Sequence, residues 1–198
     1  CLDEALTQDL AKRLEHAKGT QLLVLHMLGN HGPSYWRRYP QAFARFLPDC
    51  RDDDLRQCSE QQIVNAYDNA LLYTDHVLAS LIGTLGAHAA SVESAMLFVS
   101  DHGESLGEKN LFLHGVPYMV APREQTQVPM VMWWSAGFGR SAALNTDCMR
   151  ARARQLLFTF EQELFTHIEA LEKNLKAAEK ARMHVRDRLS ELAPVFNK

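Results

Sequence analysis

The stretch best suited to chemistry is Ser100-Asp101-His102-Gly103-Glu104-Ser105-Leu106-Gly107-Glu108. It follows AMLFVS (95–100), a short apolar run of the kind a buried strand makes. Carboxylate oxygens and imidazole nitrogens are good zinc ligands, and an Asp–His pair at the end of such a strand is held rigidly. Gly103 lets backbone pass close to a metal without a Cβ clash. His114 lies 12 residues after His102, in LFLHG, and His31 lies in Gly29-Asn30-His31-Gly32-Pro33. Each histidine taken alone also fits a polar turn with a hydrogen-bonded ring. Taken together, three histidines and a carboxylate on loops at one sheet edge can build a metal site, or a metal site plus an anion clamp. His26 sits inside an apolar run and reads as structural. His16, His76 and His88 lie on predicted helices or loops with no partner pattern.

Several elements must position these residues. Residues 3–18 place Leu6, Leu10 and Leu14 four apart, one face of a helix that Gly19 can stop. QLLVLH (21–26) is a short apolar run, read as a strand buried on both faces. Ser59 followed by Gln62 is a capping signature. Ile63, Ala66, Ala70, Leu71, Val77, Leu78 and Leu81 then recur at helical spacing. Residues 95–100 and 127–135 read as further strands, with Pro129 near the start of the second. The order of helix, strand, helix, strand, loop, strand predicts an α/β fold with a largely parallel sheet flanked by helices. Ligands in such sheets bind beyond the carboxyl ends of strands, where both the 29–33 and the 101–104 turns fall.

The chain has 198 residues, 46% hydrophobic and 23% charged, with a net charge of −3. That excludes a disordered or collagen-like chain, and it argues against a nucleic-acid partner, which calls for a basic excess. No uninterrupted apolar run approaches the roughly 18–20 residues that span a bilayer. The sequence opens on Cys1 and polar residues and reads as a piece of a longer chain. Residues 1–149 hold 11 Lys/Arg against 17 Asp/Glu, and residues 150–198 hold 10 against 7. The composition changes with the charge, which sets a domain of 1–150 apart from a helical tail of 151–198. In the tail, Ile168, Leu171, Leu175, Ala178, Val185, Leu189 and Leu192 keep a three-to-four spacing. That pattern fits an amphipathic helix docked on a core or a coiled-coil seam for self-association. Cys50 and Cys58 flank the polar loop CRDDDLRQC. They are either a bridge closing a small loop, which would point to an oxidising compartment, or two free thiols.

At these residues the sequence resembles the soluble catalytic domain of the phosphoethanolamine–lipid A transferases, which include the mobile colistin-resistance enzymes. That family falls within the alkaline phosphatase/sulfatase superfamily. The resemblance rests on LHMLGNHGPSYWRRYP, the Cys50/Cys58 pair, NAYDNALLYTD, FVSDHGESLGE, LFLHGVPY and APREQTQVPMVMWW, and covers roughly residues 1–150. It implies zinc as cofactor, with Asp101 and His102 as ligands. It implies that His31 and His114, with Glu104, bind the phosphoethanolamine group or a second zinc. The implied reaction moves phosphoethanolamine from phosphatidylethanolamine to lipid A through a phospho-threonine. The implied place is the inner membrane, with the catalytic domain in the periplasm. The family's threonine nucleophile, its glutamate ligand and its membrane helices correspond to positions upstream of Cys1, so no catalytic nucleophile is expected within this chain. Two other readings are another sulfatase or phosphoglycerol transferase, and an inactive fragment acting as an interaction module.

Overall fold

The computed structural model describes residues 1–149. The chain divides into two compact units, 1–144 and 145–198. In the second unit only 145–149 are described; there the Asn145 side chain accepts the Cys148 N–H at 2.8 Å. The tail of 151–198, helical or otherwise, lies outside the described residues.

The predicted N-terminal helix is two pieces, a 3₁₀ turn over Asp3–Thr7 and helix α1 over Leu10–Glu15. The break has a local cause. The Thr7 hydroxyl bonds back to the Glu4 carbonyl at 2.8 Å, and such bonds compete with the helical ladder. Leu10 and Leu14 are buried, whereas Leu6 is not. Helix α2 spans Glu60–Ala87 and begins as the sequence predicts, with a reciprocal capping box between Ser59 and Gln62. By length and composition it alone among the described residues could cross a membrane. Its buried stripe instead lines the core. Ala70, Tyr73, Val77, Leu81 and Leu85 pack with Leu10, Leu14 and Tyr39. One turn earlier, Ile63 and Ala66 pack with Tyr35, Leu55 and Cys50.

Two asparagines of α2 reach sideways to hold the loop in front of it. Fully buried Asn69 accepts the Arg45 and Phe46 N–H groups at 2.8 and 2.9 Å and donates to the Phe46 carbonyl at 3.0 Å. Asn65 donates to the Pro48 carbonyl at 2.9 Å. Just beyond, Cys50 and Cys58 form a disulfide with Cα atoms 5.7 Å apart, which resolves the two readings in favour of the bridge. Cys1 and Cys148 are free thiols.

Strand β1 (Ala95–Val99) pairs with a strand over Met130–Trp134, and β2 (Ser105–Leu106) pairs with β3 (Phe112–Leu113). Both pairings are antiparallel, contrary to the largely parallel sheet expected. The reason lies in the connection from 100 to 129. It carries a small hairpin and a single helical turn, α3 (Arg123–Thr126), rather than a helix long enough to return the chain across the sheet. The Met130–Trp134 strand is β4, and α4 (Ala136–Ser141) follows it. Residues 21–26 are not a strand. No ladder partner reaches them among the described residues, so Leu25 and Met27 pack on the core while Leu22 and Val24 stand 89% and 81% exposed.

Truncating Asn69 would leave three part-buried backbone hydrogen bonds, to Arg45 N–H, Phe46 N–H and the Phe46 carbonyl, without their partner. Asn69→Ala is expected to lower stability by about 2–4 kcal/mol in urea unfolding. A loss within about 0.5 kcal/mol would show that the 45–48 loop does not depend on this side chain.

Candidate metal centre

Three turns deliver the site. The first, residues 28–32, is fastened from three sides. The Asp3 carboxylate accepts the Leu28 and Gly29 N–H groups at 2.9 and 2.7 Å. Asn30 accepts the Thr74 hydroxyl of α2 at 2.9 Å and donates to the Tyr67 carbonyl. Arg38 donates to the His31 carbonyl at 2.9 Å. Gly29 takes a φ of +51°, where glycine is favoured.

The second turn follows β1 and carries Asp101 and His102. Its Gly103 is also a close approach to protein backbone. A Cβ there would collide with the Glu124 carbonyl oxygen, so glycine is needed for the close approach of the 124–125 backbone. The Gly103 N–H donates to the Gln125 carbonyl at 2.9 Å.

The third turn is set by the β2–β3 hairpin. Ser105 stands opposite Leu113, so one further step puts Glu104 opposite His114. Their side chains meet, His114 Nδ1 to Glu104 Oε1, at 3.1 Å.

Every imidazole is held by the same nitrogen. His31 Nδ1 bonds the Gly32 carbonyl at 2.7 Å, and His102 Nδ1 bonds the Gly103 carbonyl at 2.9 Å. A carbonyl oxygen accepts only, so both Nδ1 atoms carry the proton. An ionised Glu104 imposes the same on His114. In the neutral rings, Nε2 is then left with its lone pair, the arrangement that outer partners give to metal-bound histidines. The rings cluster: His102 and His114 stack with centroids 3.7 Å apart, and His31 meets them edge-on at 5.6 and 4.9 Å. One ligand nitrogen from each ring lies within 4.8 Å of the others. Two nitrogens on one tetrahedral zinc sit about 3.4 Å apart, so the trio needs to close by up to about 1.4 Å. The donor set and its fixed tautomers fit zinc.

Asp101 and Glu104 separate in role. Asp101 is exposed, takes the His102 N–H at 3.1 Å, and stands 3.9 Å from His102 Nε2 at the margin of the trio. Glu104 is only 7% exposed, and its oxygens are already engaged. Gly32 N–H (3.2 Å) and His114 (3.1 Å) share Oε1, and the Tyr35 hydroxyl donates to Oε2 at 2.9 Å. Burial, then the nearby Glu104 charge, push the Tyr35 phenol far up, which keeps it a donor. Tyr35 was not singled out from sequence. Its only signal was its place four residues after His31.

A fold of helices and small sheets that brings three histidines into a metal-competent cluster defines a class. A sulfatase family model matches residues 1–160, and the chain belongs to that family. Among its relatives, it is 39% identical over 166 residues to the phosphoethanolamine transferase EptA of Salmonella typhimurium (strain LT2), covering 84% of this chain and 30% of that protein. It superposes on the integral membrane lipooligosaccharide phosphoethanolamine transferase A of Neisseria meningitidis with a TM-score of 0.72 and 38% identity, over 77% of this chain and 28% of that one. It also superposes on the C-terminal periplasmic domain of phosphoethanolamine transferase EptC from Campylobacter jejuni, with a TM-score of 0.65 and 43% identity, over 69% and 44%. The chain thus spans about 30% of the length of the first of these relatives.

Removing the Tyr35 hydroxyl would leave a buried carboxylate one donor short. Tyr35→Phe is expected to cost about 1–3 kcal/mol in chemical unfolding. The same change in a Glu104→Gln background is expected to cost less, because a neutral amide needs the donor less. Equal costs in the two backgrounds would show that Tyr35 does not act through Glu104.

Proposed function

We propose that this chain is part of a zinc-dependent phosphoethanolamine transferase that moves the group from phosphatidylethanolamine to lipid A at the periplasmic face of the inner membrane. One observation carries the reading: three imidazoles from three turns converge, each with Nδ1 engaged. The relatives' names point to the transferred group, and the disulfide fits an oxidising compartment.

Asp101 and His102 are the proposed zinc ligands. His31 and His114 are proposed to bind the phosphoryl group or a second zinc. The buried Glu104, with both oxygens engaged, orients His114 and is not itself assigned to metal. When bound, zinc would polarise the phosphoryl oxygens and offset charge developing on them. The protein's own part is positional. Backbone carbonyls and Glu104 fix the ring planes, so that an Nε2 can bind metal or, when protonated, donate to a phosphate oxygen or to the departing alkoxide. The accepting threonine is proposed to lie outside these residues, as are the segments that tie the enzyme to the membrane. The link to polymyxin resistance follows from the same reading, since phosphoethanolamine lowers the negative charge of lipid A.

Two measurements test this. Metal analysis of the purified chain is expected to find zinc that is lost in His102→Ala and reduced in Asp101→Ala; equal zinc in all three would remove both ligands from the assignment. In cells expressing the gene that encodes this chain, mass spectrometry is expected to show lipid A carrying an added phosphoethanolamine, absent with His102→Ala. Unmodified lipid A from the wild-type gene would overturn the proposed reaction.

A further inference from the structure

Two of the three histidine turns are tied to one residue outside the trio. Gln125 lies in the single turn of α3 and is only 5% exposed. Its main-chain carbonyl accepts the Gly103 N–H at 2.9 Å, one residue past His102. Its Nε2 donates to the Ser105 hydroxyl oxygen at 2.9 Å, one residue past Glu104. Its Oε1 accepts the Val116 N–H at 3.4 Å, two residues past His114. The way round of the amide is set by chemistry. A backbone N–H needs an acceptor, so the oxygen faces Val116 and the nitrogen faces Ser105.

The side-chain bonds fall where the hairpin has no more of its own. β2 and β3 pair Leu106 with Phe112 and Ser105 with Leu113, and there the ladder stops. The next step, Glu104 to His114, is a contact between side chains. Gln125 reaches Ser105 on one arm and Val116 on the continuation of the other, so its amide is a rung across the open end. Ser105 is fully buried, and a buried polar group that loses its partner there has no water to replace it. The main chain of the same residue presses on the second turn. A Cβ on Gly103 would fall 3.3 Å from the Gln125 Cα.

The two turns so joined carry the rings that stack, His102 and His114, with centroids 3.7 Å apart. The Nδ1 bonds fix the plane of each ring within its own turn. They do not fix how far one turn stands from the other. The first turn has separate anchors in Asp3, Asn30 and Arg38, so Gln125 governs one edge of the triangle, between His102 and His114. Ligand groups must be held within about 0.5 Å of the productive geometry, so a rung that sets this edge sets binding.

We propose that Gln125 is a positioning residue that sets the separation of the His102 and His114 rings, and through it the affinity of the pair for a metal ion. The second part rests on the reading of the trio as a metal centre. The test uses the full chain in two measurements. In the chain stripped of metal, NMR is expected to show a nuclear Overhauser contact between the His102 and His114 ring protons. Gln125→Met, close in size and without the amide, is expected to lose that contact and to weaken zinc binding by roughly tenfold or more. Asn69→Ala, which loosens a loop away from the trio, is expected to lower the urea midpoint and leave both readouts as in wild type. Gln125→Met keeping the ring contact would overturn the proposal, as would Asn69→Ala losing it to the same degree. Should Gln125→Met not fold, Ser105→Ala removes one end of the rung, with the same expected and contradicting results. A ring contact that depends on Gln125, in a wild-type chain that takes up no zinc, would defeat the metal reading and leave the rung standing.

Discussion

A single buried carboxylate holds the centre together. Glu104 collects a backbone N–H from Gly32, a hydroxyl from Tyr35 and the Nδ1 proton of His114. These come from residues 69 to 72 positions earlier and from one 10 positions later. A carboxylate out of water is costly unless its lone pairs are engaged, so the three donors and the charge require one another. The packing around it follows. A Cβ on Gly32 would fall 2.6 Å from the Leu113 side chain and 2.7 Å from the Tyr35 hydroxyl, so only glycine lets the first turn come this close. Ile63 and Ala66 of α2 close the cluster beneath Tyr35.

From that anchor the site acquires its chemistry by restriction. Free imidazoles exchange tautomers and rotate, whereas these three each have one nitrogen committed to an oxygen. The turns that carry them are tied in turn, the first by Asp3, Asn30 and Arg38 and the second by the Gly103–Gln125 bond. Pre-organisation of this kind removes the ordering cost that a metal or phosphate would otherwise meet on binding.

Much of the site was legible in sequence because its signals are local. The capping box at Ser59 and Gln62 announced α2, and the apolar runs at 95–100 and 127–135 announced the strands observed over Ala95–Val99 and Met130–Trp134. The histidines could be grouped because each follows a short apolar run and sits beside glycine. What failed was non-local. The apolar pattern of 21–26 cannot say whether a partner strand exists, and alternating helices and strands cannot reveal that the 100–129 connection turns back antiparallel. The backbone contact that requires glycine at 103 left no local signal, since the 124–125 segment comes from more than 20 residues away. Tyr35 looked like any aromatic core residue, because its role depends on a carboxylate 69 residues further on.

The tautomers of the three histidines bear most directly on the centre. Long-range proton–nitrogen NMR spectra of the chain, recorded where the rings are neutral, assign the proton of each to Nδ1 or Nε2. His31, His102 and His114 are each expected to carry it on Nδ1. An Nε2–H tautomer at His102 or His114, or rapid mixing of the two forms, would contradict a pocket pre-set by Glu104 and the backbone carbonyls.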